Sequence, residues 1–159
     1  MPRRKKLITK RAEQDPIYKN RIIAKLINRS MFNGKKSVAE REVYGAFEII
    51  KEKTKDDPVK VFSKALENIK PTMEVRPRRV GGAAYQIPIP VRGPRKESLA
   101  IRWLIFAARA HSNSEFHTYA EKLAKEIMDA AEGEGAAVKK RTDMERMAEA
   151  NRAFAHFRW

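Results

Sequence analysis

The chain has 159 residues, enough for one domain with a buried core, and its apolar content of 42% argues against global disorder. It has no cysteine, which excludes disulfides, thiolate zinc sites and cysteine nucleophiles. The net charge is +15 and is concentrated: residues 1–36 carry 12 Lys/Arg against 2 acids, residues 70–96 carry 7 against 1, residues 37–69 sum to −1 and residues 97–159 to zero. Two basic segments on a neutral body are the electrostatic footprint expected for a polyanion such as nucleic acid. The longest uncharged run, Val80 to Val91, is twelve residues interrupted by Gly and Pro. A membrane span needs about 20 apolar residues. The start MPRRKKLITK lacks the apolar stretch of a secretory signal.

Residues 1–16 read as a basic, non-periodic tail ending at Asp15-Pro16, either a solvated terminus or a nucleic-acid arm. A first helix follows with Ile22, Ile23, Leu26 and Ile27 as its apolar stripe, and Asn33-Gly34 marks a turn. The second helix is predicted from Lys35 to about Lys53, with Ser37-Val38-Ala39-Glu40 fitting a capping box unless the helix begins a turn earlier, and with Ala39, Val43, Ala46, Phe47 and Ile50 at helical spacing. The third starts at Asp57-Pro58, an N-cap followed by Pro at the first helical position, and Pro71 stops it.

From Thr72 to Arg92 the period changes to alternation around Gly81-Gly82, the pattern of a long β-hairpin. Pro88 and Pro90 are expected to turn their nitrogens to one unpaired edge. Arg76 and Arg78 are expected on one face of the ribbon and Arg79 on the other. With little apolar surface of its own, such a ribbon reads as a projecting arm ordered by a partner. A fourth helix, about Arg95 to Ala110, is apolar around most of its girth through Leu99, Ile101, Trp103, Leu104, Ile105 and Phe106, which places it at the centre. A fifth begins near Ser114 and carries Phe116, Tyr119, Ala120, Leu123 and Ile127. Gly133 and Gly135 read as a hinge before a last helix, about Ala136 to Ala150, with Val138, Met144 and Met147. Residues 151–159 form an aromatic, basic tail.

Catalytic and metal chemistry find little support. His111 and His117 are six apart, a spacing that suits no helical metal pair, and read as solvent or packing residues. The acids of EKLAKE, Glu121 to Glu126, look like an ordinary solvated ion-pairing face. Gly81-Gly82 lacks the Gly, Lys and Thr order of a phosphate loop, and no nucleophile–base–orienter set is visible. Binding is better served. Arginine forms paired hydrogen bonds to phosphate or stacks on a base. Glycine permits close RNA approach, and an exposed Tyr85 could stack on an unpaired base. Lys35-Lys36 lies at a helix N-terminus, where backbone N–H groups favour phosphate. A turn with solubilising charge is the plainer reading of both places.

Five strings carry a resemblance: NGKKSVAE (Asn33 to Glu40), NIKPTMEVRPRRVGGAAYQIPIPV (Asn68 to Val91), SLAIRWL (Ser98 to Leu104), MDAAEGEGAAVKKR (Met128 to Arg141) and RMAEANRAFAHFRW (Arg146 to Trp159). In this order, over almost the whole chain, they closely resemble the family of small-subunit ribosomal protein seven, bacterial or organellar type. The resemblance implies a mainly α fold: one six-helix domain, a two-stranded β-hairpin arm (72–92) protruding between helices 3 and 4, and a basic N-terminal extension. It implies a structural, non-enzymatic component of a cytoplasmic or organellar ribosome. Such a protein binds the 3′ major domain of small-subunit ribosomal RNA, nucleates the head, needs no cofactor and touches neighbouring small-subunit ribosomal proteins but no membrane. Ribosomal RNA contacts carry over to Arg3, Arg4, Lys5, Lys6, Lys35, Lys36, Arg76, Arg78, Arg79, Arg92 and Arg95. Proximity to exit-site transfer RNA and messenger RNA carries over to Gly81, Gly82, Ala83, Ala84 and Tyr85. One departure is Pro77, where relatives commonly have Ser or another small residue; it removes a backbone donor and leaves pairing or bulging there an open point. An architectural DNA binder would need a wedge at the arm tip, which Gly81-Gly82-Ala83-Ala84 does not offer. An RNA-processing enzyme lacks its catalytic set.

Overall fold

In the computed structural model, residues 13–157 are described, and within them the chain is mainly helical. The order is α1 (Arg21–Ser30), α2 (Lys36–Thr54), α3 (Pro58–Ile69), β1 (Met73–Val80), β2 (Ala83–Pro90), α4 (Gly93–Ala110), α5 (Tyr119–Glu132), α6 (Gly135–Ala150) and a 3₁₀ helix, Arg152–Phe157. No helix among the described residues is long and apolar enough to cross a membrane.

Local chemistry explains most of the boundaries. Asn20 caps α1 by accepting the Ile22 N–H at 2.8 Å. Asp57 caps α3 through the Val59 N–H at 3.0 Å, with Pro58 in the first turn as expected. The expected capping box at Ser37 does not form, because α2 starts at Lys36 and Ser37 is already inside it; Lys35 is the N-cap and supplies no side-chain bond. A complete capping box does form at Thr118–Glu121, which corrects the start of α5 from Ser114 to Tyr119. There Glu121 accepts the Thr118 and His117 backbone N–H groups, and these bonds hold its carboxyl below the usual range. Phe116 therefore precedes the helix, its ring edge-on to His111 at 5.6 Å.

Most of the buried apolar side chains form one continuous cluster, with Ile87 and Ala148 buried outside it. Its centre is shared: α5 packs against α2, α3, α4 and α6. α4 buries Leu99, Ile101, Trp103, Leu104 and Ile105 in this centre as expected, but Phe106, expected with them, is 72% exposed on its outer face. Phe47 sits deepest among the aromatics, with Tyr18 edge-on at 5.2 Å and Phe62 at 5.6 Å. The supposed tail already belongs to this core by Asp15. That residue is buried and accepts the Ile17 and Tyr18 N–H groups and the Tyr44 hydroxyl at 2.7 Å. Burial and this bond push the Tyr44 phenol well above its ordinary pKa.

Two further sequence expectations give way. The Gly133–Gly135 corner is a packed joint, not a loose hinge. Gly133 closes α5 in the left-handed conformation, and a Cβ on Gly135 would meet Glu126 Oε1 at 2.9 Å. Glu126 is fully buried rather than solvated; its Oε1 accepts the Ala137 N–H at 2.8 Å and its Oε2 meets His111 Nε2 at 2.9 Å. Lys122, from the same string, is also buried and donates to the His111 carbonyl and Asn113. Met147 is exposed, whereas Met144 packs partly on the core.

Replacing Phe47 with Ala should destabilise the protein by about 3–5 kcal/mol through a buried cavity. Replacing Phe106 should change stability by less than about 0.5 kcal/mol. Urea unfolding of both variants checks the pair.

Candidate nucleic-acid interface

β1 and β2 form an antiparallel ribbon in unbroken register from Met73↔Pro90 to Val80↔Ala83. Gly81 and Gly82, at φ 58° and 88°, make the two-residue turn that such a hairpin requires. The Val91 N–H donates to the Thr72 carbonyl at 3.0 Å, which fixes the phase of the ladder. By alternation, the nitrogens of Pro77, Pro88 and Pro90 all face outer edges. Pro77 pairs opposite Gln86, so this departure from the family pattern leaves the ladder intact.

The ribbon is only half an arm. Its root is buried: Ile87 and Pro88 are inaccessible, and Glu145 on α6 accepts both the Thr72 N–H at 3.0 Å and its hydroxyl at 2.8 Å. The 3₁₀ helix also packs on β2, setting Phe154 and Phe157 at 5.2 and 5.5 Å from the Tyr85 ring. Tyr85 is thus half-buried against two aromatics rather than freely exposed for a base. The tip stands clear, with Gly81, Gly82, Ala83 and Ala84 exposed, and residues 76–79 of β1 are exposed beside it.

Residues directly opposite in the ladder share a face, which puts Glu74, Arg76, Arg78 and Tyr85 together and Arg79 on the reverse. Between that face and the start of α4 lies a cleft lined by Arg76, Arg78, Arg92 and Arg95, four arginines that the sequence separates by up to nineteen positions. Glu74 forms its floor, 5% exposed. Arg76 donates to Glu74 Oε1 at 2.6 Å and Arg95 to Oε2 at 3.2 Å. The carboxylate ties two guanidinium groups in place while their outer N–H groups face solvent.

The outer face of α4 extends this cleft. Arg95, Arg102, Phe106 and Arg109 are exposed at helical spacing, and residues 95 to 109 span about 21 Å of helix. Arg29 on α1 leans onto the same face, donating to the Ser98 carbonyl at 2.8 Å. The side chain as a whole is exposed, yet crowding against α4 desolvates its guanidinium; that, with Arg102 and Arg95 nearby, lowers its pKa. At the far end Arg109 donates to the Ser30 carbonyl at 3.0 Å and lies over Phe32. Next to it is the Asn33-Gly34 turn with Lys35 and Lys36, both exposed. Lys36 is 3.4 Å from Glu40, one helical turn on.

The structure therefore brings together Arg76, Arg78, Arg92 and Arg95, and links them along α4 to Lys35 and Lys36. Arg3, Arg4, Lys5 and Lys6 lie outside the described residues. Sequence reasoning missed Arg102 and Arg109, because the zero sum over residues 97–159 concealed a helix with its bases on one side, and Arg29, inside the basic segment 1–36, because its approach to α4 is tertiary. A charge count by helical face would have found the two on α4. Among the described residues no group of His, Asp or Glu could hold a metal ion.

A family model described as ribosomal protein S7p/S5e matches residues 2–152. A protein of Thermotoga neapolitana, the small ribosomal subunit protein uS7, is 56% identical over 157 residues, covering 99% of each chain. Proteins of the same name from Caldicellulosiruptor saccharolyticus and Carboxydothermus hydrogenoformans are 55% and 54% identical, each over 159 residues and 100% of both chains. With matches of this length and identity, and with six α-helices among the described residues and a hairpin between α3 and α4, the chain belongs to the ribosomal protein S7p/S5e family.

Proposed function

We propose that this protein is a structural component of the small ribosomal subunit, a binder of the 3′ major domain of its RNA that nucleates the head. The observation that carries the reading is the arginine-lined cleft between ribbon and α4, continued along α4 to the Lys35-Lys36 turn. Fixed guanidinium groups on a curved surface suit a folded RNA backbone better than a small ligand, since each offers paired donors to phosphate. Full-length similarity to bacterial small-subunit proteins supports the same assignment and a cytoplasmic ribosome. Arg79, on the reverse face of the ribbon, extends the footprint around the arm. The N-terminal Arg3, Arg4, Lys5 and Lys6 add a second strand of contacts in this reading.

The neutral tip has a different role. Gly81 to Tyr85 carries no charge, so it contributes little to capturing ribosomal RNA. The small residues Gly81 to Ala84 allow close approach to a second RNA, and in this reading, by family resemblance, that RNA is exit-site transfer RNA beside the messenger RNA path. The exposed faces that do not bind RNA, such as the one carrying Met147, remain for neighbouring ribosomal proteins.

Two measurements test the reading. Affinity for small-subunit ribosomal RNA should fall steeply with salt, by about 10³–10⁵ between 50 and 200 mM if roughly 6–10 phosphates are engaged. Replacing both Arg78 and Arg79 with Ala should reduce the magnitude of the log–log slope by about 0.7–0.9 per lost contact and leave the thermal midpoint unchanged, because both side chains are exposed. A salt-independent affinity, or equal affinity for duplex DNA, would remove the assignment. For the tip, Ala83→Glu with Ala84→Glu keeps the glycine turn but sets two carboxylates against any RNA that approaches. Subunit assembly should persist while exit-site transfer-RNA retention drops. Loss of assembly instead would move the tip into the ribosomal-RNA footprint.

A further inference from the structure

We infer that Phe32, clamped by Arg109, is a stacking platform for one unpaired base of the bound RNA. The inference rests on the RNA-binding reading above and adds a contact of a different kind, directed at a base rather than a phosphate. Phe32 is 64% exposed, an unfavourable position for a large apolar side chain. It is nonetheless held. Its carbonyl accepts the Lys35 N–H at 2.9 Å, closing the turn. The Arg109 guanidinium lies 3.9 Å from the ring centroid. That guanidinium is itself pinned to the Ser30 carbonyl at 3.0 Å, the end of α1.

The ring is therefore oriented before any partner arrives, and little rotamer freedom is lost on binding. Beside it opens a groove of about 500 Å³ with Val38, Ala39 and Tyr119 among its walls. Charge selects the occupant. Lys35 and Arg109 line the groove, and the one acid among its described lining residues, Glu42, is engaged with the Ala120 N–H at 3.1 Å. A flat apolar surface edged by cations matches a base with its phosphate. An apolar protein segment would gain nothing from the two cations. The base must be unpaired, because an A-form duplex keeps its base faces stacked and its major groove too narrow for side chains.

Binding of small-subunit ribosomal RNA by the full chain, measured across a salt series for wild type, Phe32→Ala, Phe32→Tyr and Lys35→Ala, tests this. Phe32→Ala should weaken binding about 5- to 150-fold at every salt concentration, the range expected for one lost base–aromatic stack, with the slope unchanged. Phe32→Tyr should restore affinity, and Lys35→Ala should lower the slope instead. Chemical probing of the RNA should show one unpaired nucleotide protected by wild type and Phe32→Tyr but reactive with Phe32→Ala. Wild-type affinity in Phe32→Ala, or a loss that tracks the slope, overturns the platform while leaving RNA binding intact. Failure of wild type to bind at all overturns the underlying reading.

Discussion

A buried carboxylate requires cationic partners, and in Glu74 that requirement organises the basic surface. The residue sits under the ribbon's inner face with Arg76 on its own strand and Arg95 on α4 bonded to its two oxygens. One anion therefore joins two elements that are neighbours only in space. Without it, Arg76, Arg92 and Arg95 would repel one another across the cleft and their long side chains would sample many rotamers. With it, the guanidinium groups are partly ordered before RNA binds, which reduces the entropy lost on association. A single acid in a segment of net +6 looks like a dilution of the charge; structurally it aims that charge.

The ribbon needs the same kind of support, since a two-stranded sheet is marginal in water alone. Three anchors supply it. Glu145 holds Thr72 at the root, Ile87 and Pro88 are buried where β2 rejoins the domain, and Phe154 and Phe157 cover Tyr85 midway. Such aromatic contacts contribute about 0.5–1.5 kcal/mol each beyond the area they bury. The C-terminal 3₁₀ helix is thus a brace for the arm, and the exposed tip is short. Its position relative to α4 is set by the brace as much as by the strands.

Much of this was legible in the sequence. The hairpin, its turn, the Asp57-Pro58 start and the six helices followed from periodicity and from residues with restricted backbones. Pro77 was legible as a missing donor but not as a harmless one, because harmlessness depends on ladder phase, which a single strand does not display. The capping box was misplaced for a related reason. Ser37 and Thr118 both precede a Glu by three residues, and only the tertiary position of each helix start decides which pair forms. Lys122 and Glu126 read as solvated because they alternate with other charges. They are buried because the α5–α6 corner needs a carboxylate for the Ala137 N–H, and Lys122 is needed by the loop after α4.

Arg102 and Arg109 illustrate the deeper limit. Charge summed along the chain finds a basic face only when that face is continuous in sequence. On α4 the arginines recur every seven residues, while the acids that cancel them belong largely to other elements: α5 and α6 carry most of those in residues 97–159. The field felt by a ligand depends on that placement, since exposed charges farther apart than about 8–10 Å are largely screened at physiological salt. A neutral segment can therefore present a strongly positive surface. In this domain α4 does so along its outer face while its inner face, with Leu99, Trp103 and Leu104, closes the core. One helix joins stability to binding, and a substitution on it acts on one or the other according to the face it occupies.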